Sequence, residues 1–258
     1  MDPKPLGKSR GGVNFCLFAP PGTGKTTLIG TGPKTLIIHP PVDHTDSIVL
    51  PADVREIVVR DHNDLADALR WVQQDGHKEI DWAWLDSISL MEDVGLDDVF
   101  QVAVDRKPSR KEYGPDKGEY GINRGRLMRW VRDMMGLASS GLINFGVTAQ
   151  PMEVWDPVIE EDIWLPAIGS QNNPLLAIKF CGYMNIVAYL KKTERDGKPA
   201  TRRLMTEAKG FYGKDQITRG KLNNMRDPDM SKILDEIKRA RGRRPTRRPR
   251  KTRRKGGS

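Results

Sequence analysis

Between Val13 and Ile29 the chain passes from a short apolar run, Val13-Asn14-Phe15-Cys16-Leu17-Phe18, through Ala19-Pro20-Pro21-Gly22-Thr23-Gly24 into Lys25-Thr26-Thr27-Leu28-Ile29. These residue types at this spacing suit one chemistry. Gly22 and Gly24 let backbone N–H groups curl around a phosphate where a side chain would clash. Lys25 is long enough to reach β- and γ-phosphates, and the Thr26 hydroxyl is a ligand for Mg2+. A helix opening at Gly24 would add the partial positive charge of its first turn. The candidate cofactor-binding residues are therefore Pro21, Gly22, Thr23, Gly24, Lys25, Thr26 and Thr27, with ATP and Mg2+ as the cofactors. The chain departs from the G-x-x-x-x-G-K-[ST] pattern in having Ala19 where the first glycine falls, a change that fails only if that position needs a positive φ.

A metal beside a phosphate chain also needs a carboxylate from a neighbouring strand. Ile80-Asp81-Trp82-Ala83-Trp84-Leu85-Asp86-Ser87 supplies an apolar run closing in Asp86, the layout in which the acid at the strand end holds the Mg2+ shell. Thr26 and Asp86 are thus the candidate metal residues. Lys25 and Asp86 are the first catalytic candidates, and Trp82 and Trp84 read as packing residues. His39 and His44 with Asp43 read as strand-end crowding rather than a metal cluster.

Those residues need elements to position them. Residues 34–39 and 57–60 read as strands, 63–74 as an amphipathic helix and the stripe Ile122, Leu127, Trp130, Val131, Met134, Met135 as a long one. Residues 142–148 form a strand ending at Ala149-Gln150. Residues 186–190 and 202–206 read as later strands joined through a turn at 194–198. A short amphipathic helix spans 228–237. Alternating strands and helices predict an α/β fold, a mostly parallel sheet flanked by helices with ligands at the strands' C-terminal ends.

At 258 residues, with 37% hydrophobic residues, the chain is long enough for one sizeable core plus extensions. No apolar run approaches the ~18–20 residues that cross a bilayer, and Met1-Asp2-Pro3-Lys4-Pro5 has no signal layout. Cys16 and Cys181 lie in separate apolar runs and read as buried reduced thiols. The expected setting is cytoplasmic, with no membrane partner. Charge is unevenly spread: twelve of the 43 Lys and Arg fall in residues 238–258, which have no Asp or Glu, leaving the first 237 residues at −3. A segment this basic and this poor in apolar residues reads as a disordered tail that condenses on a polyphosphate. Its candidate nucleic-acid residues are Arg243, Arg244, Arg247, Arg248, Arg250, Lys251, Arg253 and Arg254. The predicted division is an extension at 1–11, an ATPase domain at 12–237 and the tail at 238–258.

The Gly22–Thr27 loop, the Leu85-Asp86-Ser87-Ile88 strand end and the strand finishing in Gln150 resemble the RecA-type ATPases. More narrowly, they are similar to the compact phage-encoded RecA-like recombinase or single-strand-annealing proteins often called AAA-ATPases. The resemblance covers residues 12–237. It implies a RecA-like P-loop NTPase core that binds single-stranded DNA, assembles head to tail as a homo-oligomer, works beside a single-strand-binding protein and, if phage-encoded, acts in the host cytoplasm. It gives Lys25 and Thr26 the triphosphate and Mg2+, Asp86 a role through the metal, and Gln150 that of γ-phosphate sensor. The family's water-activating Glu is missing; Asp43 or Asp46 is the candidate substitute, the alternative being that both cap a turn.

The long loop expected at 151–174 is acidic at first. The irregular basic stretch 105–111, with Arg106, Lys107, Arg110 and Lys111 followed by Tyr113, is the better DNA-facing candidate, because cations with an aromatic suit single strands. Lys209, Lys214 and Arg219 are candidates for a cation offered to a neighbouring subunit. The alternatives are an AAA+ motor or remodelling ATPase, and a nucleic-acid-binding protein whose nucleotide site does not hydrolyse.

Overall fold

Strands buried at every position are covered on both faces, and three such strands form the middle of this molecule. In the computed structural model, which describes residues 11–41, 53–156, 159–171, 173–195, 198–207 and 209–242, β1 (Asn14–Phe18), β2 (Thr35–His39) and β4 (Trp82–Leu85) are buried along their whole length. With β3 (Arg55–Val58), β5 (Asn144–Ala149) and β8 (Ile186–Arg195) they form a parallel block in the order β8-β1-β5-β4-β2-β3. Antiparallel additions, β9 (Lys198–Met205), β10 (Lys214–Asp215) and β11 (Met225–Arg226), complete a nine-stranded sheet beyond β8. The expected mixed α/β sheet, mostly parallel and flanked by helices, is observed.

One face of the sheet is covered by α2 (His62–Gln74), α3 (Ile88–Arg106), α4 (Lys117–Ser140) and α5 (Leu175–Tyr183). The stripe read from the sequence packs there: Leu127, Trp130, Val131 and Met134 are buried, and the Trp130 indole donates to the Leu65 carbonyl at 2.6 Å. Ile122, assigned to the same stripe, is instead exposed. The opposite face carries α1 (Lys25–Ile29) and α6 (Met230–Gly242) over Phe15, Leu17, Trp82 and Trp84. The two tryptophans are fully buried and stacked, ring centroids 5.1 Å apart. Gly146 pairs with Trp84 across β5 and β4, and a Cβ on it would overlap the indole.

Several boundaries differ from the sequence reading. The helix α6 runs on to Gly242, so residues 238–242 belong to the fold and not to the tail. Cations suit the negative end of a helix, and Arg241 Nη2 donates to the Gly12 carbonyl at 3.2 Å. The segment expected as a long loop contains a two-stranded antiparallel ribbon, β6 (Pro151–Asp156) and β7 (Glu161–Pro166). Its outer face alternates Glu153, Trp155, Asp162 and Trp164, so acid density hid the period of two. The basic stretch 105–111 is the end of α3 followed by a 3-10 turn at Pro108–Glu112. The ribbon β8–β9 narrows the predicted turn, its strands reaching Arg195 and restarting at Lys198. Asp43, Asp46 and residues 243–258 lie outside the described residues. Among the described residues, no helix is long and apolar enough to cross a membrane.

Candidate functional site

Beyond the C-terminal end of β1 the chain turns through residues 19–24, with Gly22 at φ 73° and Gly24 at φ 96°, a backbone region that side-chain-bearing residues rarely occupy. Thr23 pins the turn from inside: it is buried, and its hydroxyl donates to the Pro20 carbonyl at 2.7 Å. Ala19 is not among the positive-φ residues. It is buried, its N–H donates to Ala149 of β5 at 3.2 Å, and its methyl joins the core beneath α1. Alanine therefore serves where the motif has glycine. Lys25 lies across the loop, its Nζ donating to the carbonyls of Ala19 at 2.8 Å and Pro20 at 3.3 Å.

The expected helix follows, and it is short. It has five residues and stops in Gly30-Thr31-Gly32, so its dipole is a small contributor. The positive charge of the cleft comes from side chains, Lys25 on the loop among them.

Asp86, at the end of β4, is 2% exposed. Its Oδ2 accepts from the Thr26 hydroxyl at 2.6 Å, and its Oδ1 accepts from the Thr148 hydroxyl. Three separate elements (α1, the end of β4, and β5) thus meet on one carboxylate. Ser87 follows through a cis peptide bond, and its hydroxyl accepts from the Leu90 N–H at 3.3 Å, capping α3. Gln150, next after β5, sits in the same cleft. Its N–H donates to Ser89 Oγ at 3.1 Å and its carbonyl accepts from Ala167 at 2.7 Å. The cleft has a volume of 320 Å3 and is lined by the loop with Lys25, Thr26, Asp86, Ser87 and Gln150.

No family model matches the chain, and no curated protein matches it.

An ammonium, a glycine-formed turn and a paired hydroxyl and carboxylate suit a phosphate chain carrying a hard divalent cation. Mg2+ takes oxygen ligands and is held by one or two carboxylates together with the substrate's phosphates. Thr26 and Asp86 supply oxygens of that kind. Among the described residues no cluster of three or more His, Cys, Asp and Glu side chains could hold a metal ion. His39 is buried, with its Nδ1 3.0 Å from the Pro40 carbonyl and its Nε2 3.2 Å from Glu56.

Pro21, Gly22, Thr23, Gly24, Lys25, Thr26, Thr27, Asp86 and Gln150 are thus brought together. The basic stretch is not. Arg106 ends α3, eighteen residues beyond Ile88 at the cleft edge, about 27 Å along a helix. Arg106, Lys107 and Lys111 are exposed there. Arg110 is spent internally: its Nη2 donates to both Glu119 oxygens at 2.8 Å and lies 3.1 Å from Asp116. The hydrogen bond to Glu119 raises its pKa first of all. It fastens the 3-10 turn to the capping box that opens α4 and is a poor candidate for a nucleic-acid phosphate. Lys209 pairs with Glu161 at 2.6 Å. Lys214 donates to the carbonyls of Cys181 at 3.3 Å and Gly182 at 2.9 Å at the end of α5, and burial lowers its pKa.

Two site residues escaped the sequence reading. Thr148 lay inside a predicted strand with no role, and only the register of β5 against β4 brings it to Asp86. Arg202, on β9, also lines the cleft, 176 positions beyond Thr26, and its Nε donates to the Thr23 carbonyl at 2.8 Å.

Proposed function

We propose that this chain binds ATP with Mg2+ in the cleft at Gly22–Thr27 and hydrolyses it as a RecA-like ATPase acting on single-stranded DNA in phage recombination or annealing. The observation that carries the reading is the Thr26 hydroxyl seated on the Asp86 carboxylate at 2.6 Å, below a loop whose two glycines hold positive φ and whose lysine crosses its mouth. A decorative glycine turn would not need a buried acid 60 residues away.

In this reading Lys25 turns from the carbonyls of its own loop to the β- and γ-phosphates, exchanging neutral acceptors for charged ones. Thr26 and Asp86 would hold Mg2+, which supplies charge neutralisation at the phosphate oxygens when bound. Gln150 would meet the γ-phosphate. Its backbone bonds to Ser89 and Ala167 tie it to α3 and to the end of the β6–β7 ribbon, a short route by which phosphate state would reach a surface element. The strand-rich segment after β8 favours the RecA type over an AAA+ motor, which would place a helical lid there. Head-to-tail copies and a single-strand-binding protein complete the proposal as partners.

The test is ATP turnover with and without single-stranded DNA. Stimulation by DNA in the wild-type chain, and loss of turnover to background in Lys25→Ala, is the expected result. A rate indifferent to DNA would sink the DNA-dependent part. Nucleotide bound without phosphate release would leave a binding protein only.

A further inference from the structure

The ribbon β8–β9 is built against ordinary pairing rules. In register, Lys191 faces Arg203 and Lys192 faces Arg202, although like charges directly opposite each other destabilise a sheet. β8 pairs with β1 as far as Tyr189 opposite Phe18, so these cations stand beyond the end of β1, at the level of the glycine loop. Lys192 is partnered by Glu194 at 2.7 Å. Among the described residues Arg202 is in no ion pair.

Its backbone is nonetheless firmly placed. The Arg202 N–H donates to Asp227 Oδ1 at 3.1 Å, and the Asp227 N–H returns to the Arg202 carbonyl at 2.8 Å. The half-buried side chain lies flat on the loop. Beyond the Nε bond to Thr23, its Nε and Nη2 would stand 2.8 and 3.1 Å from a Cβ on Gly24. One donor of the fork is used by the loop, and the guanidinium forms part of the cleft wall.

Its direction of approach says which part of a ligand it meets. In the sheet order β9-β8-β1-β5-β4, Asp86 and Gln150 flank the loop from the β5–β4 side and Arg202 from the β8–β9 side. A triphosphate whose γ end points at Asp86 and Gln150 therefore has its nucleoside end toward Arg202. We propose that Arg202 is a nucleotide-binding residue of the same chain, holding the Thr23 carbonyl through Nε and gripping the α-phosphate end of the nucleotide through its Nη donors. This rests on the nucleotide reading above and adds to it a residue and a selectivity. The α-phosphate is common to ADP and ATP, so Arg202 raises affinity for both alike and does not sense the γ-phosphate.

The test titrates ADP and ATP, each with Mg2+, into the full chain and into Arg202→Gln, Arg202→Ala and Arg202→Lys, with melting in the absence of nucleotide as the folding check. Arg202→Gln keeps a donor for Thr23 and loses the charge. The expected result is a rise in Kd of roughly 10–100-fold, the same for ADP and ATP, in the Gln and Ala variants, the range that loss of a charge-assisted hydrogen bond gives. Arg202→Lys should recover part of it. Wild-type affinity in Arg202→Gln would overturn the proposal and leave a fastener of the loop. A loss confined to ATP would overturn it in favour of a γ-phosphate contact. Wild-type chain that binds neither nucleotide would instead refute the nucleotide reading on which it stands.

Discussion

The buried Asp86 carboxylate accepts two hydroxyl donors at once, from Thr26 and Thr148. An asparagine in its place offers one oxygen and an NH2 group, so Asp86→Asn leaves one of the two hydroxyls facing a donor and removes the negative charge for a cation. Its effect should fall on the metal-dependent part of binding. Wild-type affinity for ATP should rise on adding Mg2+, and in Asp86→Asn that rise should shrink by about tenfold or more, a change of about 1.4 kcal/mol. Calorimetric titration with and without Mg2+ reads it, and an undiminished Mg2+ response would remove Asp86 from the metal site. The place of Asp86 at the end of an apolar strand marked it in the sequence, as did the Lys25-Thr26 pair. Thr148 and Arg202 carried no such mark, because a threonine inside a strand and an arginine on one are ordinary, and only sheet register brings them to the loop.

At the scale of elements, strands with an unbroken apolar middle were easy to read and the β6–β7 ribbon was not, since its outer face mixes Trp155 and Trp164 with carboxylates and masks the alternation. Nor does any sequence pattern announce that β5 inserts between β1 and β4. That insertion puts Gly146 opposite Trp84, and here glycine is needed for space and not for φ. The indole is fully buried and stacked on Trp82 beneath α1 and α6, so it has nowhere to retreat. Gly146→Ala should therefore cost about 1–3 kcal/mol by overpacking, against the few tenths an exposed strand glycine would return. Urea denaturation gives the number through a lowered midpoint at unchanged slope. A stable variant would mean that the β4–β5 seam is looser than its register implies. Because Gly146 sits two residues before Thr148, the same variant also measures how firmly the strand holds its end of the Asp86 contact.

For the whole molecule the decisive quantity is where the charge sits. Residues 243–258 contain nine Lys and Arg and no acid, so the +9 of the chain is theirs and residues 1–242 are neutral overall. A neutral body has little long-range attraction for a polyanion, and non-specific affinity should come from this segment. The cut that tests it belongs after Gly242. Cutting at 237, where the charge run was read to begin, would remove the last turn of α6 and the Arg241 contact to Gly12. That contact puts the end of α6 beside Gly12, which leads into the N-terminal end of β1, the end of the strand away from the cleft. If all nine cations neutralise phosphates, the log–log salt slope for single-stranded DNA approaches about −6, from roughly −0.7 per contact. The chain ending at Gly242 should then bind DNA far more weakly, with a slope of magnitude about 2 or less. Fluorescence anisotropy of a labelled oligonucleotide over a salt series measures both chains. An unchanged slope would move the nucleic-acid contact from the segment to the body, with exposed Arg106, Lys107 and Lys111 as the first residues to test.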